Sequence, residues 1–398
     1  EVLIETTRQL TAVVKENNPI APAEEWLLDN FYLIEENVRT AKRHLSRGFS
    51  RGLPWLASGP SAGLPRAYDI AQEIISHGDG RVDLENLVSF VTAYQSVSCL
   101  KLGELWAIPI MLRLALIENL RRIGTRIMAD VADRARANYW ADQMVDVAAR
   151  DPKSLVLTIA DMARSDPPLL SSFVAEFARR LQGKSPALAL PLSWIEQRLS
   201  ESHLTIEQMI QAGNQQLAAD QASVSNSIGS LRFLTTMDWR EFVETMSVVE
   251  KVLREDPSDV YIRMDFATRD HYRHVIEKIA KKSLLSEGDV AGLAVEMARE
   301  AASSKAGDDR MTHVGYYLID EGLPKLEKRA QMRLSLSESV RRAFIRVPLL
   351  LYLGSIVVIT LLLTGYLLIL VQAAGLPKWT MFPAALVIAL GSSSLGVS

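Results

Sequence analysis

A carboxylate and an indole stand two residues apart in an otherwise apolar stretch, Leu102-Gly103-Glu104-Leu105-Trp106-Ala107-Ile108-Pro109. Those two side-chain types suit a sugar, with a pyranose ring stacked on Trp106 and its hydroxyls donated to Glu104. The plainer reading is a buried indole with Glu104 capping a helix or paired to an arginine, because Trp is ordinary core material. Among the six histidines, His271 and His274 stand closest, three residues apart beside Asp270. A metal centre there would need further inward-facing ligands and carboxylate support, so the pair reads as exposed or hydrogen-bonded residues on a helix. Paired carboxylates for glycoside chemistry must stand about 5 Å or about 6.5–9.5 Å apart, a separation that spacing along a helical chain does not reveal. No phosphate-cradling loop is present, and Cys99 is the single cysteine. An internal disulfide and a cysteine-based metal site are thereby excluded, in keeping with a reducing cytosol.

The elements that position these residues are helices. The chain has 398 residues, with 44 basic and 47 acidic side chains and a formal net charge of −3. Opposite charges are interspersed, which leaves no electrostatic footprint for nucleic acid. Over 24–45, Leu27, Phe31, Ile34, Val38, Ala41 and Leu45 recur at spacings of three and four and predict one amphipathic helix. A Gly- and Pro-punctuated loop follows, with Trp55 as its large apolar anchor, and a Gly78-Asp79-Gly80 turn precedes Asp83 as a helix cap. The longest soluble helix is expected over 110–136, on the stripe Leu112, Leu116, Leu120, Ile123, Ile127 and Val131. Thr205 with Gln208, Asp238 with Glu241 and Ser286 with Asp289 have the spacing of capping boxes. Pro152, Pro167 and Pro257, each behind an Asp, suit the first turns of helices. No strand alternation or fixed-period repeat is evident. The fold class is therefore mainly α: a multi-helix domain over 1–301 with a sub-boundary near 182–191, a connector and basic juxtamembrane segment over 302–346, and a membrane part over 347–398.

That last part rests on two uncharged apolar runs, 348–371 and 380–397. At about 1.5 Å per residue the first crosses roughly 30 Å of hydrocarbon. Gly375 and Pro377 break the chain between the runs, and Trp379 suits the headgroup zone, so a transmembrane helical hairpin is expected. Arg341, Arg342 and Arg346 crowd the entry to the first span, whereas the connecting loop offers Lys378 alone. The positive-inside tendency then keeps the N-terminal domain cytoplasmic, with the lipid bilayer as a partner. The chain opens on Glu1 without a secretory signal, and its second apolar run stops at the last residues. Both ends are expected to be cuts in a longer polypeptide.

Three phrases carry a family resemblance: Ala-Glu-Glu-Trp-Leu-Leu-Asp-Asn-Phe over 23–31, the segments 64–69 and 77–82, and Gly-Glu-Leu-Trp-Ala-Ile-Pro-Ile-Met-Leu-Arg-Leu-Ala-Leu-Ile-Glu-Asn-Leu over 103–120. Met-Asp-Phe-Ala-Thr-Arg over 264–269, Tyr272, Arg273 and His-Val-Gly-Tyr-Tyr-Leu-Ile-Asp over 313–320 add to them. Together they resemble the N-terminal region of bacterial cyclic β-1,2-glucan synthases. The resemblance implies a large inner-membrane enzyme whose later domains polymerise glucose from UDP-glucose with Mg2+ or Mn2+, cyclise the glucan by transglycosylation and adjust its length by phosphorylase chemistry. Such transferases commonly present an Asp-x-Asp metal motif and a Gln-x-x-Arg-Trp acceptor motif, and this sequence has neither.

No catalytic, cofactor-binding or metal residue is therefore expected in this segment. It reads as scaffold and membrane anchor, with the downstream transferase, cyclisation and phosphorylase domains as partners and the growing glucan as a further one. Two other readings compete. One is a non-enzymatic, membrane-tethered helical interaction or sensor module. The other is a carbohydrate-active α/α domain using Glu104 and Trp106.

Overall fold

The chain enters through three amphipathic helices, α1 (Val2–Lys15), α2 (Pro22–Asp29) and α3 (Phe31–His44). The computed structural model describes residues 1–15, 20–45, 47–303 and 309–333, with scattered positions between 353 and 369. The single helix expected over 24–45 is split at Asn30, whose backbone leaves helical geometry at φ −108° and ψ 13°. Asn30 Nδ2 donates to the Trp26 carbonyl at 2.9 Å, and Oδ1 accepts from Arg232. A short polar side chain that bonds the backbone offers an alternative to the helical ladder. The apolar stripe survives the break, because Leu27, Ile34 and Ala41 are buried.

A short α4 (Arg47–Arg51) leads into a loop in which the bridge pairs Trp55 with Pro65. Its anchor is Leu53, 5% exposed, rather than Trp55, which is 52% exposed. Next come α5 (Arg66–His77) and α6 (Leu84–Gln95). Asp83 caps α6 as expected, accepting from Asn86 N–H at 2.9 Å.

The 49-residue α7 (Leu102–Arg150) is the spine, about 74 Å long at about 1.5 Å per residue. It starts eight residues earlier than 110 and runs through Pro109. A proline deprives one carbonyl of its partner and ordinarily kinks a helix. Here Leu105, Ala107, Ile108, Met111 and Leu112 are all buried, so packing holds both sides of the proline in one helix. Beyond 136 the stripe continues in small residues, Ala137, Ala141 and Ala148, with Met144.

Two hydrophobic clusters form on this spine. The first joins its N-terminal half to α1, α2, α3, α5 and α6. The second joins its C-terminal half to α8 (Leu155–Ser165), α9 (Ser171–Leu181) and α10 (Ala189–Ser200). Phe173 and Phe177 stack there at 5.7 Å between ring centroids, and Leu188 of the 182–191 segment is buried in the same cluster. The 31-residue α11 (Ile206–Thr236) then packs on α2, α3, α7 and α9. Its capping box closes both ways, Thr205 N–H to Gln208 at 3.0 Å and Gln208 N–H to Thr205 at 3.2 Å.

Three further helices follow, α12 (Trp239–Met246), α13 (Val248–Leu253) and α14 (Phe266–Ala280). Asp238 caps α12 through the N–H groups of Arg240 and Glu241. Of the three Asp-Pro pairs, Asp151-Pro152 opens a one-turn helix as expected, whereas Asp166 ends α8 in the left-handed region and Asp256-Pro257 lies in a turn. Prolines can follow a helix stop as readily as start a helix.

The chain divides into two compact units, Glu1–Glu277 and Lys278–Ser398. In the second, Ser286 accepts from Asp289 N–H at 3.1 Å ahead of α15 (Glu287–Ser303), which packs on α16 (Val314–Ile319) and α17 (Leu323–Arg329). Tyr317 donates its hydroxyl to the Met297 carbonyl at 3.2 Å. No strand is formed among the described residues.

The transmembrane hairpin expected over 347–398 lies mostly outside the described residues, as do Arg341, Arg342, Arg346 and Trp379. The described positions between 353 and 369 are helical, with Leu353, Val357, Leu361 and Ile369 exposed. Among the described residues no helix is long and apolar enough to cross a membrane.

Candidate functional site

Glu104 lies in the first turn of α7, fully buried, and faces the first residue of α5. Arg66 grips it with two bonds, Nε to Oε1 at 2.8 Å and Nη2 to Oε2 at 2.6 Å. Lys101 N–H donates to Oε2 at 3.0 Å, which completes a helix cap. Hydrogen bonding to Glu104 holds the Arg66 guanidinium above its ordinary pKa. The arrangement is a bidentate, charge-assisted clamp joining α5 to α7. Trp106 is half-buried and meets Phe266 edge-on, with centroids 6.4 Å apart. Its Nε1 is buried without a hydrogen-bond partner among the described residues.

Phe266 leads to a second charged cluster, where α12, α13 and α14 meet. Arg273 has 0% exposure, and its Nη1 donates to Glu250 at 2.6 Å and to Glu244 at 3.1 Å. Nη2 donates to Asp270 at 3.1 Å, and the Phe266 ring lies 5.1 Å from the guanidinium carbon. Arg269 adds a two-pronged contact to Glu244 at 3.1 and 2.9 Å. Tyr261 donates its hydroxyl to Glu250 at 2.7 Å. Burial on its own lowers the Arg273 pKa, but Glu244 and Glu250 outweigh it and hold the guanidinium above its usual value. Burial and the Glu250 carboxylate together push the Tyr261 phenol well above its ordinary value. Every carboxylate here has a cation or hydroxyl on it, so the cluster is a structural lock. His274 stands at its margin with Nδ1 2.8 Å from the Asp270 carbonyl, His271 is exposed, and the described residues hold no group of three or more potential metal ligands.

A cleft of about 320 Å³ opens elsewhere in the same unit, between α7, α9 and α11. Its α7 wall carries Asp130 and Arg134, one turn apart; α9 contributes Ser171, Ser172 and Arg179; α11 contributes Asn214 and Gln216. Arg134 is paired with buried Glu24, and Arg179 with Glu176 at 2.9 Å. Asp130 is treated differently. Burial, above all, raises its pKa; Ser172 and Arg134 oppose the shift, and Asp220 and Asp133 add to it. Asp133 and Asp220 are themselves held by Arg136 and Arg126. A half-buried carboxyl with a raised pKa in a polar cleft is a common mark of a functional site. A larger, open shelf lies beside α1, lined largely by exposed residues of that helix, and has no such group.

The cleft was not singled out from the sequence, although Asp130 and Arg134 sit four apart off the α7 stripe and 213–217 reads Gly-Asn-Gln-Gln-Leu. One curated protein matches the chain end to end: the cyclic β-(1,2)-glucan synthase NdvB of Rhizobium meliloti, 31% identical over 393 residues, which cover 98% of this chain. The chain is a relative of that synthase. It spans only 14% of the synthase's length, and no protein-family model matches it. Phrases that carry the resemblance hold the first lock, Glu104 in 103–120 and Arg66 in 64–69, and the arginines of the second, Arg269 in 264–269 and Arg273 just after it, whereas Glu244, Glu250 and Tyr261 lie outside them. The cleft draws on different parts of the chain.

Proposed function

We propose that this chain is the N-terminal cytosolic scaffold and first membrane anchor of a cyclic β-1,2-glucan synthase, a glycosyltransferase whose other domains do the polymerising and cyclising. The single observation behind this reading is the end-to-end match to a synthase of which it spans 14%. A piece so small against its relative fits one module of a multi-domain enzyme. A 49-residue spine clamped to α5 through Arg66 and Glu104 suits a rigid brace, since a packed helical body transmits position without supplying chemistry.

On this reading UDP-glucose and its Mg2+ or Mn2+ are handled by the parent's other segments. The absence of an Asp-x-Asp pair from the sequence supports that division, and no residue of this chain is assigned to either ligand. The apolar runs 348–371 and 380–397 insert into the bacterial inner membrane, Arg341, Arg342 and Arg346 stay at its cytoplasmic face, and Trp379 sits at the opposite interface. The helical domain then stands on the same side as the nucleotide-sugar pool.

Deleting residues 1–332 from the full-length parent enzyme tests the scaffold. Membranes carrying equal amounts of the truncated and intact proteins are supplied with labelled UDP-glucose, and the glucan is sized by chromatography. Lower yield or an altered ring-size distribution is expected; unchanged yield and size refute a bracing role. Protease added to sealed inverted vesicles should digest the helical domain, and its protection there would reverse the orientation.

A further inference from the structure

We infer that the cleft between α7, α9 and α11 is a holding site for the glucan chain itself, a neutral oligosaccharide bound away from any catalytic centre. This inference rests on the synthase reading and assigns that reading a specific surface. The cleft volume of about 320 Å³ lies at the lower end of the small-ligand range. Arg134 answers Glu24 and Arg179 answers Glu176, so no cation is left over for an anionic ligand, and the one lining carboxyl without an arginine of its own is Asp130, which burial makes harder to ionise.

The remaining groups suit hydroxyls, which both donate and accept. Asp130 provides acceptors, Asn214 one carbonyl and one amide nitrogen, and the Ser171 hydroxyl does both; Ser172 already donates to Asp133 at 3.2 Å and Gln216 Nε2 to Asp220 at 2.9 Å, so these two add mainly acceptor oxygens. Ser171 is the first residue of α9, and its N-cap, Leu170, makes no side-chain capping bond. Leu217, 38% exposed, and Ala175 give the apolar floor on which the C–H face of a sugar can rest. No aromatic ring lines the cleft, so binding is weak and reversible, as suits a chain that must slide onward as it grows.

Gly213 supplies the probe. The atoms nearest to a Cβ there belong to Ser171, at an ordinary 3.5 Å or more, so the helix accepts a methyl, and a larger side chain would fill space at the α9 wall of the cleft. The full 398-residue chain, held in a zwitterionic detergent without a sugar headgroup, is titrated with β-1,2-linked glucose oligomers and followed by saturation-transfer NMR. Gly213→Ala is the control for the backbone and Gly213→Leu the blocked form. Saturable binding to the native and Gly213→Ala chains, about tenfold or more weaker in Gly213→Leu, is expected from loss of roughly one anchoring contact. No saturable transfer to the native chain, or equal affinity in Gly213→Leu with its helical signal intact, overturns the inference. The truncation assay reads synthesis in the parent enzyme, so the scaffold can stand when the cleft fails, and the reverse.

Discussion

Replacing Arg273 by Met is the sharpest test of what holds α12, α13 and α14 together. The guanidinium is wholly buried and touches Glu250, Glu244 and Asp270, whose side chains are 2%, 14% and 23% exposed. Methionine keeps much of the volume but takes a cation from all three carboxylates, of which Glu250 and Glu244 lie in the more poorly hydrated places. Breaking a buried pair by removing one partner costs about 3–5 kcal/mol, because the surviving charge is uncompensated. Glu250 retains Tyr261 and Arg254, and Glu244 retains Arg269, so the expected loss sits near the lower end, about 3 kcal/mol. Arg254→Met is the contrast. It removes a half-exposed partner of the same Glu250 and should cost less than about 1 kcal/mol. Urea unfolding followed by helical circular dichroism measures both, with hydrogen exchange of peptides over 239–280 to localise the loss. Adding Glu250→Gln to Arg273→Met closes a double-mutant cycle with an expected coupling of about 1–3 kcal/mol. A loss below about 1 kcal/mol for Arg273→Met, or additivity of the two changes within about 0.5 kcal/mol, would show that the cluster is solvated decoration.

Asp130→Asn should stabilise the chain at neutral pH, with the gain fading in acid. The folded-state pKa of Asp130 is raised, so between its unfolded value, about 3.9, and that higher value the native state binds more protons. Stability therefore falls as pH rises through that window and stays lower above it; thermal unfolding at pH 7 and pH 3.5 checks the sign, and a gain that persists in acid contradicts the assignment. Gly80→Ala should cost about 1–3 kcal/mol, because φ is +82° and a Cβ would stand 2.4 Å from Ser227 Oγ and 3.1 Å from the Ser223 carbonyl. Gly183→Ala, at φ +76° with nothing within 4 Å, isolates the backbone part of that penalty in the same melting experiment and should cost less.

What could be read in advance follows from the range of each interaction. The α7 stripe, the Thr205–Gln208 box and the Asp83 cap are local patterns whose partners lie within a few residues, so spacing alone shows them. Pro109 and Asn30 misled for opposite reasons. A local rule stops a helix at a proline, yet burial on both sides carried α7 through it; a continuous stripe implied one helix, yet Asn30 breaks it and bonds to Arg232, some two hundred residues on. Trp55 carried the apolar bulk of its loop, but the smaller Leu53 is the residue that reaches the core. The clamps and the cleft are still less local. Arg66 and Glu104 are 38 residues apart, and Arg134 and Glu24 are 110 apart. In a chain with acidic and basic residues interspersed throughout, every Glu has many possible Arg partners, and only the packing of α2, α5 and α11 on the spine selects among them. The same packing pairs Asp133 and Asp220 with Arg136 and Arg126 but leaves Asp130 half-buried without an ion pair among the described residues. If the brace were all that mattered at this spot, an asparagine would serve the fold better than an aspartate, which is the physical ground for looking to a ligand there.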